Sequence, residues 1–230
     1  NIHQYGQEEM NRRFLDLVKR EKPDYIFFLI SYDEFYIETL IKIKEISPNT
    51  ITINYFGDDD TAFDSFTRYY SLVFDYCLVL PHLNIDIYKK EGIFNLFFIK
   101  GTNLDLFKPL DFKKEFDVTF IGTPKSDRYK IINYLLNNGI KIALFGSGWY
   151  GYKNIKDIYM GPIVENELVA VINKSKINIC LSKNYYGEPH IKGRFFEIGA
   201  CRSFSLVEYC PKLMEFFQEN KEIIMFKDKR

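Results

Sequence analysis

Lys192, Arg194 and Glu197 fall within the single segment KGRFFE, two cations followed by a carboxylate. Arginine presents a planar fork of N–H donors that matches phosphate oxygens, and lysine adds a point charge. Cations so placed can stabilise negative charge that develops as a bond breaks. The competing reading is an i,i+3 Arg–Glu pair on an exposed helix face, worth a few tenths of a kcal/mol. Two glycine-bearing turns, Gly122-Thr123-Pro124 and Gly146-Ser147-Gly148-Trp149, offer backbone that a ligand can approach closely. The first has no G-K-[ST] after it and is not G-x-G-x-x-G, so taken alone it is an ordinary tight turn. At Glu208-Tyr209-Cys210-Pro211 backbone N–H groups can meet a phosphate, with Cys210 a small cap-like residue. Glu188 and His190 lie just ahead of the cationic segment, and a lone loop histidine is usually solvated. Asp58-Asp59-Asp60 evokes a D-x-D metal motif, against a solvated acidic turn.

The elements that carry these residues alternate. Residues 7–20 show apolar positions at helical spacing, and residues 25–30 form an unbroken apolar run, the pattern of a parallel strand covered on both faces. Helix is expected over 34–46, 63–72 and 82–91, with strands over 50–55, 75–80 and 96–99. The charged, proline-bearing stretch 106–115 breaks this rhythm, which places a domain boundary after residue 108. A second series follows, with strands over 117–121, 141–145, 177–181 and 203–207 and a short one near Ile158 and Met160. Helices are expected over 126–138 with Ser126 as N-cap, over 165–174, over 193–201 and after Pro211. The helix over 193–201 is expected to turn Phe195, Phe196, Ile198 and Gly199 inward. Strands alternating with helices indicate doubly wound parallel sheets, whose ligands bind at the carboxyl ends of strands.

The run KGRFFEIGAC, then a strand, Glu208, Pro211, Leu213, Phe216 and KEII, resembles the sugar-nucleotide half of GT-B glycosyltransferases. It is most similar to the spore-maturation-protein (CgeB-like) group, over residues 116–228 and more weakly back to residue 50. The resemblance implies two Rossmann-like domains facing a central cleft, residues 1–108 on the acceptor side and 109–230 binding a nucleotide-sugar. It implies transfer of a sugar from a nucleotide-diphosphate sugar to an acceptor hydroxyl, with Lys192 and Arg194 on the diphosphate and Glu197 on the ribose. By the same resemblance Gly122, Thr123, Gly146 and Gly148 lie beside the donor, and Trp149 is a wall there or simply core. Tyr209 and Cys210 stand at the second junction, whose backbone N–H groups are expected at the donor phosphate, and one of the three Asp residues, Asp60 foremost, is expected to act as acceptor-side general base or to bind the acceptor. Glu188 and Glu197 have eight residues between them rather than seven, so the resemblance does not carry the two-glutamate pattern of many retaining enzymes. No bound metal or cofactor is implied; the nucleotide-sugar is a substrate.

Composition bounds these readings. The chain has 230 residues, 22 Phe and 17 Tyr, and a formal net charge of zero, so no long-range field favours nucleic acid. Its four cysteines form no C-x-x-C pair and read as reduced thiols in a cytoplasmic protein. No stretch is long and apolar enough to span a bilayer. The chain starts at Asn1 and stops soon after a strand, as expected of a piece trimmed at both ends. Two alternatives stay open: a GT-B-shaped sugar-nucleotide epimerase or phosphorylase, which needs no acceptor, and a binding module without turnover.

Overall fold

In a computed structural model, residues 6–30, 32–57, 62–79, 85–125, 127–184 and 186–227 are described. The chain divides into two compact units, Asn1–Ile99 and Lys100–Arg230.

The first unit is built on four parallel strands: β1 (Tyr25–Phe28), β2 (Ile51–Phe56), β3 (Tyr76–Val79) and β4 (Leu96–Phe98), in the order β1-β2-β3-β4. Helix α1 (Gln7–Glu21) precedes β1, and α2 (Ile37–Ile46) joins β1 to β2. A π-helical turn (Phe63–Thr67) runs into α3 (Arg68–Tyr70) before β3, and α4 (Ile85–Lys90) leads to β4. Each strand lies beside the previous one, always stepping in the same direction. Right-handed crossovers then place every connecting helix on one face. That face holds Phe28, Phe56, Cys77 and Val79 against Val18, Leu40 and Ile43 of the helices. Among the described residues no helix covers the opposite face. The register aligns Tyr25 with Ile51, Phe27 with Ile53, Ile53 with Tyr76, and Leu78 with Phe97. On it Tyr25 is 66% exposed, Phe27 57% and Phe97 52%. The run 25–30 is therefore not covered on both faces as its composition suggests: Tyr25–Phe28 alternates, and Leu29 beyond it is exposed as well.

The second unit contains β5 (Phe116–Ile121), β6 (Ile142–Phe145), β7 (Tyr159–Gly161), β8 (Ser175–Cys180), β9 (Ser205–Glu208) and β10 (Ile224–Phe226). All pair in parallel, in the order β10-β9-β8-β5-β6-β7. From β5 the chain winds outward through β6 and β7, returns to the other side of β5 as β8, and winds outward again. The reversal puts helices on both faces and opens a switch point between β5 and β8. Helix α5 (Arg128–Asn137) follows β5, α6 (Glu165–Lys174) precedes β8, and α7 (Gly193–Ala200) follows it. Ile172, Phe195, Ile198, Val207 and Leu213 fill one core cluster; Ile132, Leu144, Trp149 and Ile155 fill the other.

Local details differ from expectation where capping decides them. Ser126 lies outside the described residues, and the residue before α5 is Asp127. After Pro211 the chain makes a five-residue 3₁₀ turn, Pro211–Glu215, rather than an α-helix. Gly199 is exposed rather than inward, although a Cβ there would lie 3.1 Å from Phe217.

Candidate functional site

The switch point brings together the carboxyl ends of β5 and β8 and the start of α7. Phe120 and Ile121 from β5, Cys180 and Leu181 from β8, and Arg128, Lys192 and Arg194 line a pocket with about 270 Å³ of open space. Three cations of this unit thus meet at one cavity. Lys192 is the N-cap of α7, so the positive end of the helix dipole adds to their field.

Each cation is held by a different device. Arg128 is 9% exposed, donates from Nη1 to the Thr123 carbonyl at 2.8 Å, and stacks over Phe120 at 5.8 Å. Its Nε is buried and has no partner among the described residues. Burial lowers its pKa while Glu208 and Asp127 oppose the shift, and a guanidinium stays charged regardless. The Lys192 ammonium donates to the carbonyls of Leu181 at 3.0 Å and Lys183 at 2.6 Å. Burial, with nearby Arg128, pushes its pKa down to about 7. Arg194 donates from Nη1 to Glu197 Oε2 at 2.6 Å, with about a quarter of each side chain exposed. That is the i,i+3 pair, and it orients a guanidinium that also lines the pocket.

The glycine turns are packed on each other. Gly122 N donates to Phe145 O at 2.9 Å and Gly146 N to Gly161 O at 2.9 Å. Gly146 has φ +121°, and a Cβ there would meet the Gly122 carbonyl at 2.3 Å, so only glycine fits. Trp149 is 1% exposed, donates from Nε1 to that same carbonyl at 2.7 Å, and meets Phe120 edge-on at 6.1 Å. It packs in the core cluster and anchors the turn through that bond. Gly148, with φ +87°, lies against Pro124.

On the other side, Glu208 is 6% exposed, and its Oε2 accepts the N–H groups of Ser182 at 2.9 Å and Lys183 at 3.2 Å. Tyr209 N donates to Phe226 O, and Lys227 sits over the Tyr209 ring at 4.4 Å. Cys210 is fully enclosed, its thiol pushed up to about 11 by burial. Neither Tyr209 nor Cys210 lines the pocket, nor does Glu197. His190 is 8% exposed, contrary to the solvated loop histidine expected, whereas Glu188 is exposed. Asp60 lies outside the described residues. Arg128 is absent from the residues that sequence reasoning selects. Its one signal is its place at a helix start, four residues beyond the turn 122–124.

Among the described residues no three His, Cys, Asp or Glu side chains gather as a metal-holding group. No helix among them is long and apolar enough to cross a membrane.

Fold and site together define a class. Two parallel α/β units, the second with a cationic pocket at its switch point, make up the GT-B glycosyltransferase fold. Residues 128–230, nearly all of the second unit after β5, match the family model described as glycosyl transferase-like. Arg128 is thus the first residue of the match. Among solved structures, HepE of Anabaena in complex with UDP and glucose is similar with TM-score 0.65 at 12% identity, over 100% of this chain and 70% of that one. Sucrose-phosphate synthase from Thermosynechococcus elongatus is similar with TM-score 0.61 at 12% identity, over 97% and 66%. AviGT4, a glycosyltransferase involved in avilamycin A biosynthesis, is similar with TM-score 0.58 at 12% identity, over 96% and 64%. The chain spans about two thirds of the length of these structures. A search of curated protein sequences found no match.

Proposed function

We propose that the chain takes part in glycosyl transfer, with the second unit holding a nucleotide-diphosphate sugar through Arg128, Lys192 and Arg194. The observation that carries this reading is the convergence of three cations on one pocket, one of them with a buried Nε that has no partner among the described residues. A buried donor without an acceptor costs about 1–3 kcal/mol. Structures of the similar HepE are described as complexes with UDP and with UDP-glucose, which supports a nucleotide-sugar as the donor.

In the proposed step the bond from the anomeric carbon to the diphosphate breaks with its electron pair passing to the phosphate oxygen. A bond forms from that carbon to the acceptor hydroxyl oxygen, and the hydroxyl proton passes to a base. The three cations stabilise the charge on the departing diphosphate. Glu197 keeps Arg194 in place by accepting from one end of its fork, so its own carboxylate is already engaged before any ribose contact. The assignment of Asp60 as base rests on the sequence resemblance. The proposal uses no metal ion or cofactor. Four free, buried thiols support a reducing, cytoplasmic setting.

The test is a melting-temperature screen against UDP, GDP, ADP, CDP and dTDP, with Arg128→Ala and Arg194→Ala in parallel. Ligand at about 100 times its dissociation constant adds about 2.7 kcal/mol, enough for a clear shift. The expected result is a shift with one nucleotide that is clearly reduced in both variants. Equal binding by Arg128→Ala overturns the site, and no shift with any nucleotide overturns the function.

A further inference from the structure

One partly buried ion-pair network in the second unit lines none of the pocket yet joins its two walls. The Lys183 ammonium lies 2.9 Å from Asp127 Oδ2 and 3.0 Å from Glu208 Oε1. Asp127 is the residue before α5, adjacent in sequence to Arg128. Glu208 ends β9 and grips the backbone N–H groups of Ser182 and Lys183. The carbonyls of Leu181 and Lys183 are in turn the acceptors of Lys192. The segment 181–183 is therefore clamped by its donors on a carboxylate and by its acceptors on an ammonium. Among the described residues, the Lys183–Asp127 bond ties that segment to the start of α5. Its side chain is about one third exposed while that of Glu208 is 7% exposed, so the pair is shielded on the Glu208 side. Charge-assisted bonds of this kind fix position as well as adding energy.

We infer that Lys183 is a positioning residue for the donor pocket, acting through Asp127 to hold α5 and its Arg128 against the wall formed by β8 and α7. The inference rests on the donor-site reading above and deepens it. Lys183 does not line the pocket, so its effect on a nucleotide is indirect. Residues that act through a shared element couple, whereas independent ones add.

The experiment is a double-mutant cycle on the full chain, titrating by calorimetry the nucleoside diphosphate that stabilises the wild type. The variants are Lys183→Met, Arg128→Ala and their combination, with Lys183→Arg as the conservative control. Because Lys183→Met strands the buried Glu208 carboxylate, Lys183→Met/Glu208→Gln is included as the variant that keeps the fold. Melting curves establish that each is folded. Expected is about a tenfold loss of affinity in Lys183→Met, little further loss when Arg128→Ala is already present, and recovery in Lys183→Arg. If Lys183→Met lowers the melting temperature without changing affinity, or weakens binding equally in both backgrounds, Lys183 is structural only and the inference falls. The donor-site reading would then stand. If the wild type binds no nucleoside diphosphate, that reading fails and takes the inference with it.

Discussion

At the scale of the residue, the pocket's chemistry depends on protonation and on space. Lys192 titrates near neutrality because burial disfavours its charge. An anionic ligand prefers the ammonium, so on the donor-site proposal the affinity for a nucleoside diphosphate should decline as pH rises above 7. Lys192→Arg, which stays charged, should flatten that decline; titrations at pH 6 and pH 8.5 compare the two, and identical profiles would remove Lys192 from the site. The same shift has the opposite sign for folding, since the unfolded lysine keeps its proton to a higher pH. Stability contributed at this position therefore rises from pH 7 towards the usual lysine range. Space governs Gly146, where Gly146→Ala combines a strained φ with backbone contact and should cost about 2 kcal/mol or more in denaturant unfolding. Trp149→Phe removes the donor to the Gly122 carbonyl and should cost about 1–3 kcal/mol. Lys192 and Arg194 were legible because cations of the right type stand two apart at a helix start. Arg128 was not, because nothing local distinguishes it from any other helix-opening arginine; only the return of β8 beside β5 makes it face them.

Among the elements, alternation along β1 separates side chains that the sequence makes equivalent. Phe27 and Phe28 are neighbours of identical type, yet one is 57% and the other 4% exposed. Phe28→Ala should cost about 3–5 kcal/mol, as for a packed aromatic, whereas Phe27→Ala should fall within about 0.5 kcal/mol of wild type. Equal costs in urea unfolding would mean that the face bearing Phe27 is covered. The strand itself was readable from its unbroken apolar run, and the alternation of helices with strands gave the parallel α/β architecture. Which face is bare was not readable, because the direction in which successive strands are laid down decides it. The turn after Pro211 shows the same limit in another form: proline suits the first turn of either helix type, and the tighter 3₁₀ geometry depends on packing of Leu213 beneath it.

For the whole molecule, the open sheet face of the first unit meets another property of the chain. With 31 basic and 31 acidic residues the formal net charge is zero, and the isoelectric point lies near 7.0. Molecules without net charge do not repel one another, and Tyr25, Phe27, Leu29 and Phe97 give them something to stick with. Solubility should therefore pass through a minimum at neutral pH and recover on either side, as light scattering across pH 5 to 9 would show. Replacing Phe27 and Phe97 with glutamate should abolish the minimum while leaving the cationic pocket of the second unit unaltered. In practical terms, the first unit's exposed face should limit how concentrated a solution of this chain can be made at neutral pH.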